Sequence, residues 1–105
     1  MATTSRGMGA YLTGEPSTSN GIRTYPYTTD MSVNPHTYDD IMSASVPHGV
    51  GSVWAAMLWE MTWDLIEVHG FDSDWYNGTG GNNIVLQLMM DGLKMQSCNP
   101  GCIDG

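Results

Sequence analysis

The segment that most constrains this chain is residues 47–69, which is apolar around nearly the whole circumference of a helix. Its apolar side chains recur at intervals of three and four residues, the spacing of one helical face. Trp54 belongs to this face, and Trp59, Trp63 and other apolar residues widen the surface. Only Glu60, Asp64 and Glu67 form a polar stripe. Such a helix is normally packed by several others. The sequence therefore predicts a core that extends beyond these 105 residues.

Composition and charge exclude two classes of partner. At about 20 residues the segment is long enough to cross a membrane, but a central charge costs about 2.5–3.5 kcal/mol there, so three carboxylates argue against a span. The net charge of −8, with three Lys and Arg in total, argues against nucleic acid, because phosphate binding needs clustered basic residues. The first residues lack the apolar run of a signal peptide, although the chain could be an interior piece of an exported protein.

The rest of the chain predicts a mainly α fold: an irregular N-terminal loop segment followed by two largely buried helices. The second helix is expected to be capped by Asn82. Two largely apolar helices cannot cover each other completely, so the sequence predicts a missing neighbour. The expected order is a loop-rich segment at 1–46 with a short helix near 37–45, helices at 47–69 and 83–96, a connector at 70–82, and a Cys-bounded turn at 97–105.

Two side chains are candidates for chemistry. His48 stands at the entry of the tryptophan helix, at the positive end of its dipole, where it could act on a ligand or simply cap the helix. Arg23 lies between aromatic residues in a loop, and its planar fork suits a carbonyl or carboxylate. The structural alternative for Arg23 is an ion pair with Asp30 that pins the loop.

The cysteines and the other histidines give weaker signals. Cys98 and Cys102 flank Asn-Pro-Gly, a turn sequence that brings two sulfurs together, so a small-loop disulfide is expected. A zinc site would need more ligands, and two free thiols are the third alternative. His36 is expected in a turn and His69 near a helix C-terminus. The three histidines do not have metal-ligand spacing, so no metal site is predicted in this chain.

The order of short motifs resembles the fungalysin zinc metallopeptidases. The resemblance covers about residues 7–105, and it corresponds to the latter, mostly helical part of that family's catalytic domain. The chain departs from the family pattern at Cys102, where an aromatic residue is expected. The matching motifs are Gly-Ile-Arg23, Tyr27-Thr-Thr-Asp30, Asn34-Pro-His-Thr-Tyr38, Val46-Pro-His48-Gly-Val-Gly, Met57-Leu-Trp59-Glu60, His69-Gly-Phe71, Asp91-Gly-Leu-Lys94 and Cys98-Asn-Pro100.

The resemblance implies a division of labour within a larger enzyme. In the family, zinc is held by a His-Glu-x-x-His helix and a glutamate on the next helix, and neither is present here. Zinc would therefore belong to the intact enzyme, with ligands outside this chain. By resemblance, His48 is expected to hydrogen-bond the oxyanion of the tetrahedral intermediate, and Arg23 to bind a substrate carbonyl. Either Asp30 or the Asp39–Asp40 pair would orient one of these two side chains.

The sequence therefore favours a segment of a secreted zinc metalloendopeptidase that acts on peptides and is inactive as an isolated chain. Its expected partner is the missing N-terminal part of the catalytic domain. One alternative is a non-catalytic module that self-associates through its apolar helix faces. Another is a structural remnant, or a subunit that complements an N-terminal half.

Overall fold

The computed structural model describes residues 5–101, and this part of the chain is mainly helical, as predicted. In place of strands, residues 5–101 contain two isolated β-bridges. Compact packing divides the chain into two units, which meet in sequence between Trp63 and Asp64. The helices are α1 (Ala10–Thr13), a 3-10 helix (Tyr38–Met42), α2 (His48–His69) and α3 (Gly81–Met95).

Backbone pairing organises the first loops of unit 1. Arg6 and Tyr27 exchange two hydrogen bonds, with N···O distances of 2.9 and 2.8 Å. The second bridge joins Met8 to Gly21, and the Ile22 N–H donates to the Met8 carbonyl at 2.8 Å. Gly21 has φ +60°, and a Cβ at this position would overlap with the Met8 carbonyl oxygen. Glycine thus allows the two backbone segments to approach this closely.

Beyond the two β-bridges, the buried side chain of Asn34 provides hydrogen bonds to the loop backbone. The amide of Asn34 donates to the Pro26 carbonyl at 2.9 Å and accepts from the His36 N–H at 3.1 Å. Asn34 itself is 3% exposed. A buried amide that satisfies two backbone groups substitutes for the hydrogen bonds of regular structure, so this loop has a defined conformation without strands.

The 3-10 helix starts with a cap built around one carboxylate. Thr37 is the residue that precedes the helix. Its backbone N–H and its hydroxyl both donate to Oδ2 of Asp40, at 2.6 and 3.2 Å. The Asp40 carboxylate is therefore the acceptor that holds the first turn together.

The long helix α2 follows a cis peptide bond between Val46 and Pro47. Its buried residues are small: Ser52, Val53 and Ala56. The helix ends at His69, and Gly70 adopts φ +76° directly after it, the left-handed conformation that commonly terminates a helix.

In unit 2, two aspartates shape the connector before α3. Asp72 accepts the N–H groups of Asp74 and Thr79 at 2.9 and 3.2 Å. Asp74 accepts those of Tyr76 and Asn77, both at 3.0 Å. These backbone hydrogen bonds stabilise the carboxylate form, so they lower the pKa of Asp74 from its ordinary value of 3.8.

Helix α3 begins earlier than predicted, at Gly81, and Asn82 is not its cap. The amide of Asn82 instead bridges the backbone of Asp72, accepting from its N–H at 2.9 Å and donating to its carbonyl at 2.8 Å. The side chain of Asn83 accepts the Gly80 N–H at 3.1 Å. A Cβ at Gly81 would overlap with backbone atoms of Leu65 and Ile66, so glycine sets how closely the start of α3 approaches the end of α2.

The two predicted helices are present, and few of their apolar side chains are fully buried by the described residues: those of α2 are mostly half-buried, and those of α3 are mostly exposed. The buried apolar side chains within 5–101 are Ala10, Val53, Ala56 and Val85. Leu93 of α3 is 63% exposed and Met95 is 86% exposed. Within the same residues, no helix combines the length and apolar character needed to cross a membrane.

Candidate functional site

His48 is the first residue of α2, and its side chain is exposed. The backbone N–H groups that follow it are already occupied. Those of Gly49 and Val50 donate to the Ser45 carbonyl at 2.8 and 3.1 Å, and that of Gly51 donates to the Pro47 carbonyl at 3.0 Å. Since these donors of the helix start are used, the imidazole is the group at this position that remains free to meet a ligand.

Arg23 is half-buried in unit 1. Its Nε atom is shielded from solvent and has no hydrogen-bond partner within the described part of the chain. Within residues 5–101, Arg23 does not form the ion pair with Asp30 that was the structural alternative. Asp30 instead accepts the N–H and hydroxyl of Ser32, at 2.9 and 2.6 Å. The Arg23 guanidinium is thus not paired with Asp30 within the described residues.

The three acids expected to orient these groups have other surroundings. The hydrogen bonds from Ser32 lower the pKa of Asp30, and those from Thr37 lower the pKa of Asp40. Asp39 is exposed. Among residues 5–101, none of the three carboxylates hydrogen-bonds to the side chain of His48 or Arg23. An orienting contact from these acids to His48 or Arg23 is therefore not part of the described structure.

A cavity of about 300 Å³ lies within unit 1. The residues that line it include Val53, Trp54 and Met57 of α2, and also His36. Neither His48 nor Arg23 lines it. From the sequence His36 is expected only as a turn residue, and no periodic signal marks it as part of a cavity that α2 also lines.

The described residues do not fit a zinc site. No three His, Cys, Asp or Glu side chains within 5–101 are grouped so that they could hold a metal ion. Any metal of the intact protein would therefore need ligands from other residues.

The expected disulfide involves one cysteine within the described residues and one outside them. Cys98 is exposed, whereas Cys102 lies outside the described residues. The pairing of these cysteines stays a prediction.

Comparison with known proteins places the chain in a family. The model of the fungalysin metallopeptidases (M36) matches residues 1–105. The chain is 43% identical over 86 residues to extracellular metalloproteinase 2 of Arthroderma gypseum, covering 76% of this chain and 14% of the relative. It is 38% identical over 106 residues to extracellular metalloproteinase 3 of Arthroderma otae, covering 95% and 16%.

A third relative, extracellular metalloproteinase MEP of Fusarium vanettenii, is 42% identical over 95 residues, covering 81% of this chain and 14% of the relative. The chain thus spans about one seventh of the length of the curated relatives that it matches. A match of the family model along the whole sequence decides the assignment. This chain belongs to the fungalysin metallopeptidase family.

Proposed function

We propose that this chain is the part of a secreted zinc metalloendopeptidase that lines one side of the substrate cleft, with the metal held by other parts of the protein. The observation that carries the proposal is the family match over residues 1–105. The names of the relatives, extracellular metalloproteinases, support both the peptide substrate and the secretion. The lack of a metal-holding group within residues 5–101 supports a zinc site elsewhere.

In this proposal His48 stabilises the oxyanion of the tetrahedral intermediate. Hydrolysis of a peptide bond places negative charge on the former carbonyl oxygen, and an imidazole N–H that donates to it gains strength as that charge develops. The exposed position of His48 at the start of α2 supports this role, since the neighbouring backbone donors are already bonded to Ser45 and Pro47.

Arg23 binds the substrate carbonyl next to the scissile bond in the same proposal. A guanidinium presents several N–H donors in one plane and retains its charge at all physiological pH values. The unpartnered Nε of Arg23 supports this role, because a buried donor without an acceptor is costly and gains from a ligand or a further chain segment that supplies one.

The test is His48→Ala in the full-length protein that contains this segment. Removing one oxyanion donor lowers kcat by about 10²–10³-fold in comparable enzymes, and we expect that loss here with unchanged zinc content. His69→Ala is the matched control, since this exposed histidine ends α2 and should retain full activity. Loss of zinc in His48→Ala would refute the assignment.

One observation favours a second function, that of a non-catalytic module which self-associates. The apolar residues of α3 are widely exposed, as with Leu93 and Met95, and such surfaces mark interaction sites. Sedimentation of the 105-residue chain separates the two proposals. A stable oligomer that gains no proteolysis when the rest of the family domain is supplied would favour the module.

A further inference from the structure

The cavity of unit 1 combines an apolar wall with very few free polar groups. Val53, Trp54 and Met57 of α2 form one side, and Met31 and Ile41 add further apolar surface. Its volume of about 300 Å³ is at the lower end of the range for small-molecule sites, roughly 300–1,000 Å³. The space therefore suits a single side chain or a small molecule, and it is too small for a folded segment.

Most polar groups in the cavity wall already have partners. The amide of Asn34 is bonded to Pro26 and His36. The Thr28 hydroxyl accepts the Asp30 N–H at 3.2 Å, and the Thr37 hydroxyl donates to Asp40. Three polar side chains of the wall are left to meet a ligand: Glu60, His36 and Tyr38, of which Tyr38 is 56% exposed.

Glu60 and His36 can supply acceptors to a ligand. Glu60 is the one acidic side chain among the described residues that line the cavity. Nδ1 of His36 is buried and has no hydrogen-bond partner within the same residues, and it accepts a hydrogen bond in the neutral tautomer that carries its proton on Nε2. The carboxylate of Glu60 and the ring nitrogen of His36 favour a cation with N–H donors. The indole of Trp54 adds to this preference, because ammonium groups also bind aromatic rings.

From this arrangement we propose that the cavity binds a primary ammonium group on a short apolar stem. The apolar wall holds the stem, Glu60 pairs with the ammonium, and Nδ1 of His36 accepts one of its N–H bonds. The net charge of −8 favours a cation over an anion here. Two sources share this chemistry: the side chain of a lysine in a polypeptide, and a free alkylamine.

The test is calorimetric titration of the 105-residue chain with n-butylammonium chloride, at ionic strength matched with sodium chloride. We expect n-butylammonium to bind saturably and the neutral analogue 1-butanol to bind at least about tenfold more weakly. The reason is that a hydrogen bond to a charged group contributes more than one between neutral groups. Equal affinities of the two probes, or no saturable binding of n-butylammonium, would overturn the proposal.

Glu60→Gln keeps the shape of the side chain and removes its charge, and we expect it to weaken n-butylammonium binding about tenfold. Asp64→Asn is the matched control, since this exposed carboxylate of α2 does not line the cavity and its loss should change affinity less than about twofold. An unchanged affinity of Glu60→Gln contradicts the proposal.

A measurement on the unaltered chain protects the test against misfolding of the variant. Nuclear Overhauser contacts between the butyl protons and the Trp54 indole are expected, and their absence at saturation would place the ligand elsewhere. Nα-acetyl-lysine amide then distinguishes the sources: binding at least as tight as n-butylammonium indicates a lysine side chain, and weaker binding indicates a free amine. None of these measurements depends on peptidase activity, so failure here leaves the proposed function standing.

Discussion

The loop-rich segment of unit 1 and helix α3 of unit 2 differ in how far each is completed by its own residues. In the loops, the buried Asn34 satisfies backbone groups of Pro26 and His36. In α3, Val85 is 3% exposed, but Leu93 on the same helix is 63% exposed. The backbone around Asn34 is thus held by a side chain of the same segment, whereas the regular helix presents an exposed apolar surface.

This contrast shows that regular secondary structure is not the part of a chain most able to stand alone. Loops with many side chain–backbone hydrogen bonds are fixed by local contacts. An apolar helix gains most of its stability from packing against other elements. Within residues 5–101, the loop around Asn34 is accordingly fixed by its own hydrogen bonds, whereas Leu93 of α3 is left exposed.

The largest effect is expected where unit 2 is tightly packed. Gly81→Ala would press a methyl group against the backbone of Leu65 and Ile66, and overpacking against rigid backbone should lower the free energy of unfolding by about 3 kcal/mol. Gly92→Ala is the control within α3, because no atom lies within 4 Å of an added Cβ. It should raise stability by about 0.5–1 kcal/mol. Urea unfolding gives both values, and equal effects would show that α3 is not seated on α2.

A somewhat smaller effect on stability is expected in the loop that the Asn34 amide holds together. Asn34→Ala leaves the Pro26 carbonyl and the His36 N–H without their partner, and we expect a loss of about 2 kcal/mol in the free energy of unfolding. Asn20→Ala removes one exposed hydrogen bond to the Thr24 carbonyl and should cost less than about 0.5 kcal/mol. If the two substitutions cost the same, the loop is not fixed by its buried amide.

Acid should loosen the connector of unit 2. The pKa of Asp74 is lowered from 3.8 by the N–H groups of Asn77 and Tyr76. A carboxyl whose folded pKa lies below its unfolded value stabilises the fold above the unfolded value, and that contribution is lost as the pH falls through the folded pKa. Asp74→Asn should therefore flatten the fall in stability below pH 3.8. Titration of the Asp74 carboxyl by NMR checks the direction, and a value at or above 3.8 would contradict the connector geometry.

Within the 105-residue chain, the smallest effect is expected on the exposed apolar face of α3. Leu93→Ser should change the unfolding free energy of the 105-residue chain by less than about 0.5 kcal/mol, as is usual for exposed positions. In the full-length protein, the same substitution should cost about 2–4 kcal/mol, the range for a buried leucine. Val85→Ala should be destabilising in both, since Val85 is buried here. A neutral Leu93→Ser in the full-length protein would mean that no further segment covers this face.

Periodicity predicted the two long helices because their apolar spacing is a local property of the sequence. It misplaced the start of α3, since Asn82 has the composition of a cap but bonds instead to the backbone of Asp72. That His36 and α2 line the same cavity depends on residues distant in sequence, so no local pattern could have predicted it. The start of α2 did follow from the sequence, because a helix entry is marked locally at His48.

We propose that these helices line a cleft whose metal is held by other parts of the protein. Metal analysis of the purified 105-residue chain, after equilibration with zinc and removal of loosely bound ions, tests this proposal most directly. We expect no stoichiometric zinc and no peptide hydrolysis. One tightly held zinc ion per chain, accompanied by zinc-dependent cleavage of a peptide, would contradict it.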